Sequence, residues 1–187
     1  MKKLLITALA IFGLNSMLAQ TQEEMMAWQA YMTPGDAHQW LATLDGNWDA
    51  EVKMWMDPAA PPTISKATTT NKMIMGGRYQ QSIHKGDMGG MPFEGQSITA
   101  FDNAKKKYIA TWIDNMGTGV LILEGDYNKE TKQLIMTGTM VDPMTGKDIQ
   151  VKEVMTYLSK DKHKFEMFMI QEGQELKTME IVYTRKK

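Results

Sequence analysis

Three features of the sequence predict an all-β fold, an up-and-down antiparallel β-barrel of about ten strands with short N-terminal helices. From Asn47 to the C-terminus apolar and polar residues alternate with a period of two, turn-forming residues punctuate the runs, and no segment between them is long enough for a helical crossover. Parallel strands need such crossovers, so these strands pair in sequence order as an antiparallel meander. Closing the meander removes both exposed edges and leaves room for an interior pocket. An open sandwich is the alternative arrangement.

The chain has 187 residues, 43% of them hydrophobic, enough apolar mass for one packed domain. With 21 basic and 22 acidic side chains the formal charge is -1, which gives no electrostatic reason to expect nucleic acid or an anionic membrane surface as partner. The absence of cysteine excludes disulfides, thiolate-ligated zinc, iron-sulfur clusters and a thiol nucleophile. Lys2 and Lys3 precede an apolar run from Leu4 to Leu14, the length of a signal-peptide core and too short to span a bilayer. Residues 1–19 therefore read as a signal peptide cut after Ala19, although Met17 is larger than the usual small residue at that position; an uncleaved anchor helix is the alternative. Loss of Lys2 and Lys3 takes the charge of the mature chain to -3. No later segment is apolar enough to form a transmembrane helix, so the expected location is periplasmic or secreted.

Residues 20–45 read as a helical lid. Thr21 and Glu24 have capping-box spacing, and Met25, Trp28 and Met32 fall on one helical stripe that ends before Pro34. Thr33 is expected to cap a second short helix that starts at Pro34, buries Trp40, Leu41 and Leu44, and closes at Gly46. Residues 46–187 form the barrel. Its first strand alternates Trp48, Ala50, Val52, Met54 and Met56 with Asp49, Glu51, Lys53 and Trp55, and the proline-rich turn at 57–62 ends it. Strands follow at 64–75, 78–85, 93–101, 107–114, 118–127, 133–141, 148–158, 163–171 and 175–185, with Gly, Asn, Asp or Pro at their junctions.

Gly46-Asn47-Trp48, at the junction of helix and first strand, resembles the Gly-x-Trp that opens the first strand of lipocalins and related calycins. Longer segments are similar to a bacterial family catalogued as domain of unknown function 1579: Trp55-Met56-Asp57-Pro58 with Pro61-Pro62, Met91 to Gly95, Trp112 to Gly119, Asp142 to Lys147 and Lys177 to Thr184. The resemblance spans about Met32 to Arg185. It implies a lipocalin-like barrel, and it implies no established reaction and no catalytic residue.

The residues themselves carry little catalytic signal. His38, His84 and His163 lack metal-ligand spacing, so no zinc site is expected. A haem would need an axial imidazole deep in the cup, and His163 lies beside an expected tight turn, so no cofactor is expected. No serine occupies a Gly-x-Ser-x-Gly elbow, and Gly76-Gly77 and Gly89-Gly90 do not precede helices as a phosphate cradle would. The acids within or at the ends of apolar strands are Glu94, Asp114, Glu153 and Glu166. Arg78, one of two arginines, could pair with Glu94 or Asp114, either as an internal ion pair or as the polar anchor of a ligand. The expected ligand-binding residues are Trp48, Arg78, Glu94, Trp112 and Asp114, which combine aromatic surface with charge.

Methionine is the unusual component, at 19 residues. Met54/Met56, Met73/Met75 and Met167/Met169 are spaced to share a strand face. Thioethers are soft donors for Cu(I) and also adaptable apolar lining, and the pairs lack a companion histidine. The expected function is an extracytoplasmic barrel that binds a small lipophilic molecule. A methionine-rich Cu(I)-binding protein and an enzyme with a carboxylate pair in the barrel are the alternatives.

Overall fold

A computed structural model of the chain describes residues 21–187, so the expected signal peptide and its cleavage site lie outside the described residues. The chain divides into two compact units at Thr33/Pro34. In the first, residues 21–32 form helix α1, along which Met25, Trp28 and Met32 are exposed and the Trp28 and Tyr31 rings meet edge to face at 6.0 Å. Thr33 does not cap the next helix; its hydroxyl donates back to the Gln29 carbonyl at 2.6 Å, as the last residue of this unit. The second unit opens with α2 (Asp36–Ala42), N-capped by Gly35, whose N–H donates to His38 Nδ1 at 3.0 Å.

Ten strands follow: β1 (Gly46–Met54), β2 (Thr63–Ile74), β3 (Tyr79–Met88), β4 (Met91–Asp102), β5 (Lys107–Asp114), β6 (Leu121–Asn128), β7 (Gln133–Val141), β8 (Asp148–Ser159), β9 (Lys162–Gln171) and β10 (Gln174–Arg185). Each pairs antiparallel with its sequence neighbours, and β1 pairs with β10, so the sheet closes into a barrel without an edge. The meander and its closure are as the alternation predicts. Strand ends differ where local geometry overrides alternation. β1 stops at Met54, leaving Met56 88% exposed in the following loop, and β6 starts at Leu121 instead of Thr118. β3 and β4 run on to Met88 and Met91 because Gly89 and Gly90 both adopt positive φ, the requirement of the two-residue hairpin turn that suits strand twist.

Cross-strand register sorts the side chains into rows around the barrel wall. One inward row is Val52, Ile181, Phe165, Met155, Leu134 and Tyr127; the next toward the far end is Met54, Met179, Met167, Glu153 and Met136. Burial along the inward face is graded. Leu41 and Trp48 at the α2 end, and Leu123, Leu134 and Val151 along the wall, are almost wholly buried. Trp40 lies against the Tyr127 ring at 4.3 Å and the Tyr108 ring at 5.6 Å. At the opposite end the inward Val52, Met54, Phe93, Trp112, Leu121, Met140 and Met179 are half-exposed.

The last carbonyls of α2 and its exit, which a helix end leaves short of backbone partners, also accept from barrel side chains. Gln80 donates to Leu41 (2.6 Å), Arg185 to Thr43 (2.8 Å), and both the Trp48 indole (3.0 Å) and Asn71 (3.1 Å) donate to Leu44. The helix is thereby fixed as a plug in one end of the barrel.

Candidate functional site

The expected site residues do not converge. Trp48 is inward but belongs to the plugged floor, with its indole N–H on Leu44 and the Arg185 guanidinium 4.1 Å from its ring centre. Arg78 is exposed in the β2–β3 turn and donates to the Met75 carbonyl at 3.1 Å. Glu94 is exposed on the outer face, between inward Phe93 and Gly95, and pairs with Lys85 at 3.7 Å. The expected ion pair of Arg78 with Glu94 or Asp114 is therefore not formed. Alternation could not assign Arg78 because the residue precedes the strand.

Trp112 and Asp114 are brought together. Both face inward, two residues apart on β5, and the Trp112 indole donates to Asp114 Oδ2 at 2.7 Å. Asp114 Oδ1 accepts the Met116 N–H at 2.9 Å. Asn115 ties the same segment to β4, accepting from the Glu94 N–H through its side chain (3.0 Å) and donating to the Pro92 carbonyl (2.9 Å). The Trp112 to Gly119 string thus builds a braced corner at the half-exposed end. Gly95 lets the indole lie flat across β4: a Cβ there would come within 2.5 Å of the ring.

Deeper in the barrel is a group of polar residues that sequence reasoning did not assemble. His84 faces inward on β3; its Nδ1 and the Thr69 hydroxyl are hydrogen-bonded at 2.9 Å, and its ring meets Trp112 edge to face at 5.1 Å. His163 lies beside the tight β8–β9 turn as expected, as the second residue of β9, and its side chain is buried. Its ring stacks on Tyr183 at 4.5 Å and meets Trp48 at 4.4 Å, and its Nδ1 is buried with no hydrogen-bond partner. Burial lowers both imidazoles to about 4, so both are neutral at physiological pH. Among the described residues no three His, Asp or Glu are grouped to hold a metal.

Glu153 is the one acid of the inward methionine rows. It stands opposite Met136 on β7 and Met167 on β9, with Val151 and Met155 on its own strand face. Among the described residues no hydrogen bond or ion pair reaches its carboxylate, and burial pushes its pKa up to about 7. The other half-buried acids of this region face outward and are paired: Glu166 with Lys164 and Lys177, and Glu180 with Lys53 and Lys177. The sequence signal for Glu153 was its shared parity with Val151 and Met155, which put a carboxylate on an otherwise apolar face. The methionine pairs divide likewise. Met167 and Met169 share the inward face, whereas Met56 lies beyond β1 and Met75 lies in a turn with positive φ.

The outer side of the wall also carries concavities. One is lined by Thr68, Thr70, Lys72 and Lys85, another by Thr137, Thr139, Gln150 and Ile170. No helix among the described residues is long and apolar enough to cross a membrane.

Among the solved structures that the barrel resembles are two from different sources. Rv2717c from M. tuberculosis superposes with a TM-score of 0.61 at 14% identity, covering 83% of this chain and 100% of that one. The S-type phycobiliprotein lyase CPES from Guillardia theta superposes with a TM-score of 0.56 at 9% identity, covering 81% and 93%. At these identities the likeness is one of fold. A search of curated proteins finds no significant relative. Residues 33–185, from the end of α1 through the last strand, match the family described as "Protein of unknown function (DUF1579)", and the chain belongs to that family.

Proposed function

We propose that this protein is a binding barrel that takes a small lipophilic molecule through the end opposite α2. The observation that carries this reading is the graded inward face. One end is sealed by Leu41, Leu44 and Trp48, while at the other end inward apolar side chains such as Met54, Phe93, Leu121 and Met179 remain half-exposed. A wall of thioethers and aromatic rings with a few polar groups has the composition of a small-molecule site. That a structural neighbour is named a phycobiliprotein lyase is in keeping with a barrel of this shape serving small-molecule chemistry. The Lys2-Lys3 leader and its apolar run support an extracytoplasmic site of action.

The test is a titration of the mature chain with prodan, a small neutral naphthalene dye whose emission shifts in apolar surroundings. Saturable binding, displaced by uncoloured lipophiles, is the expected result. A folded protein that leaves the dye's emission unchanged would instead be a filled, purely structural barrel, and the binding reading would fall.

A further inference from the structure

We infer that the interior ligand carries a positively charged, hydrogen-donating nitrogen on an apolar frame, with the nitrogen seated on the Glu153 carboxylate and the hydrocarbon on the inward methionines. The inference rests on the binding-barrel reading and names the ligand class for it.

The register places Glu153 in an unbroken inward row with Met54, Met179, Met167 and Met136, spanning five strands. Thioethers and hydrocarbon carry no hydrogen to donate, so the row gives the carboxylate nothing to bond. The Glu153 side chain is half-buried, and a charged group drawn that far from water beside thioethers that cannot donate to it is a place for a ligand donor. The carboxyl's elevated proton affinity expresses the same lack.

An ionised carboxylate only accepts, so its complement must donate, and a cationic donor forms the shorter and stronger bond. The charge of the inward face points the same way. In the register of the described strands the one basic inward side chain is Arg185, at the floor, and it is already committed to Thr43, Asp45 and Lys160 carbonyls and to Asp161. A lipophilic acid such as a fatty acid would meet no free cation and two like charges, Glu153 and, at the half-exposed end, Asp114, whose oxygens already accept the Trp112 and Met116 N–H groups. A neutral hydrocarbon would leave Glu153 unmet. An apolar amine satisfies both the acid and its thioether surroundings.

Competition against bound prodan, which has no N–H to offer, tests this with decylamine, decanol and decanoate below their micelle-forming concentrations. Decylamine should displace the dye at about ten-fold lower concentration than decanol, with decanoate weakest. In Glu153→Gln, which keeps the shape and removes the charge, dye binding should persist and the amine should fall to parity with the alcohol. Equal displacement by amine and alcohol in the native protein, or an amine preference that survives in E153Q, would overturn the ligand class and leave the binding barrel standing. No prodan binding to the native protein would remove both. Failure of E153Q to fold would also overturn the inference, because a carboxylate without a protein partner holds no structure together. A parallel Cu(I) titration has the same force: tight binding lost in E153Q would assign the carboxylate to a soft metal among the thioethers.

Discussion

Trp112 shows how a single contact fixes the half-exposed end of the barrel. Its indole N–H is held by Asp114, its ring lies against Phe93 at 6.3 Å in a stacked arrangement, and its six-membered edge covers Gly95. Glycine is required there for space, since a Cβ would approach two ring carbons at 2.5 Å and the Phe93 ring at 3.2 Å. The indole cannot simply swing aside without giving up its bond to Asp114. Gly95→Ala should therefore cost about 1–3 kcal/mol, the range for overpacking, and should alter the near-ultraviolet aromatic dichroism. The cost should shrink when Trp112→Phe is already present, because the smaller ring leaves the methyl its space and has no N–H to lose. Equal costs in the two backgrounds, measured by denaturant unfolding, would show that the ring is not what demands the glycine. Trp112 and Asp114 were legible in the sequence as members of one strand face. Arg78 and Glu94 were not, because a two-residue period assigns a face only inside a strand and only once one residue of known direction fixes the phase.

Among the elements, α2 depends most on its surroundings. A seven-residue helix has almost no stability of its own in water. It persists because Leu41 enters the cluster of Tyr108, Leu123, Leu134 and Val151, and because barrel side chains take up its terminal carbonyls. Leu41→Ala should cost about 2–5 kcal/mol, as for other buried leucines, and should leave the Gln80 bond in place since that bond goes to the backbone. A loss below about 1 kcal/mol in urea unfolding would mean that the helix rests on the barrel without plugging it. The strands were the most readable elements: each closes on its neighbour with one side inward, so the pleat writes burial directly into sequence. Their ends were less readable. Where β3 turns into β4, the decisive quantity is positive φ at Gly89 and Gly90, and the strands continue through residues that alternation alone would have left as loop. Register around ten strands, which puts Glu153 level with Met54 three strands away, is fixed by closure and is invisible in any one segment.

At the scale of the whole molecule, the inward polar groups oppose one another in their response to pH. Glu153 has its folded pKa raised from 4.5 to about 7, so between those values the folded chain holds a proton that the unfolded chain has released, and stability falls as pH rises through the window. His84 and His163 are lowered from 6.5 to about 4, so over that interval the unfolded chain binds more protons and stability rises with pH. Two imidazoles outweigh one carboxyl. His38, also lowered by burial, adds in the same sense, so stability should climb by at least about 1.4 kcal/mol per pH unit toward 6.5, the net of His84, His163 and the carboxyl, and then decline until Glu153 is fully ionised. The optimum should therefore lie near pH 6.5, where the imidazole contribution ends and that of the carboxyl still runs. Glu153→Gln removes only the opposing member. The variant should gain stability more steeply across the acid range and hold a plateau above pH 7, and its advantage over the native chain at pH 8 should exceed that at pH 4 by on the order of 3 kcal/mol. Denaturant unfolding of both proteins from pH 4 to 8 decides the matter: parallel curves would mean that the carboxyl is solvated or paired in the folded barrel. A bound apolar amine should restore the plateau to the native chain, since a cation on Glu153 returns its pKa toward the ordinary carboxylate range and so cancels the decline at its source.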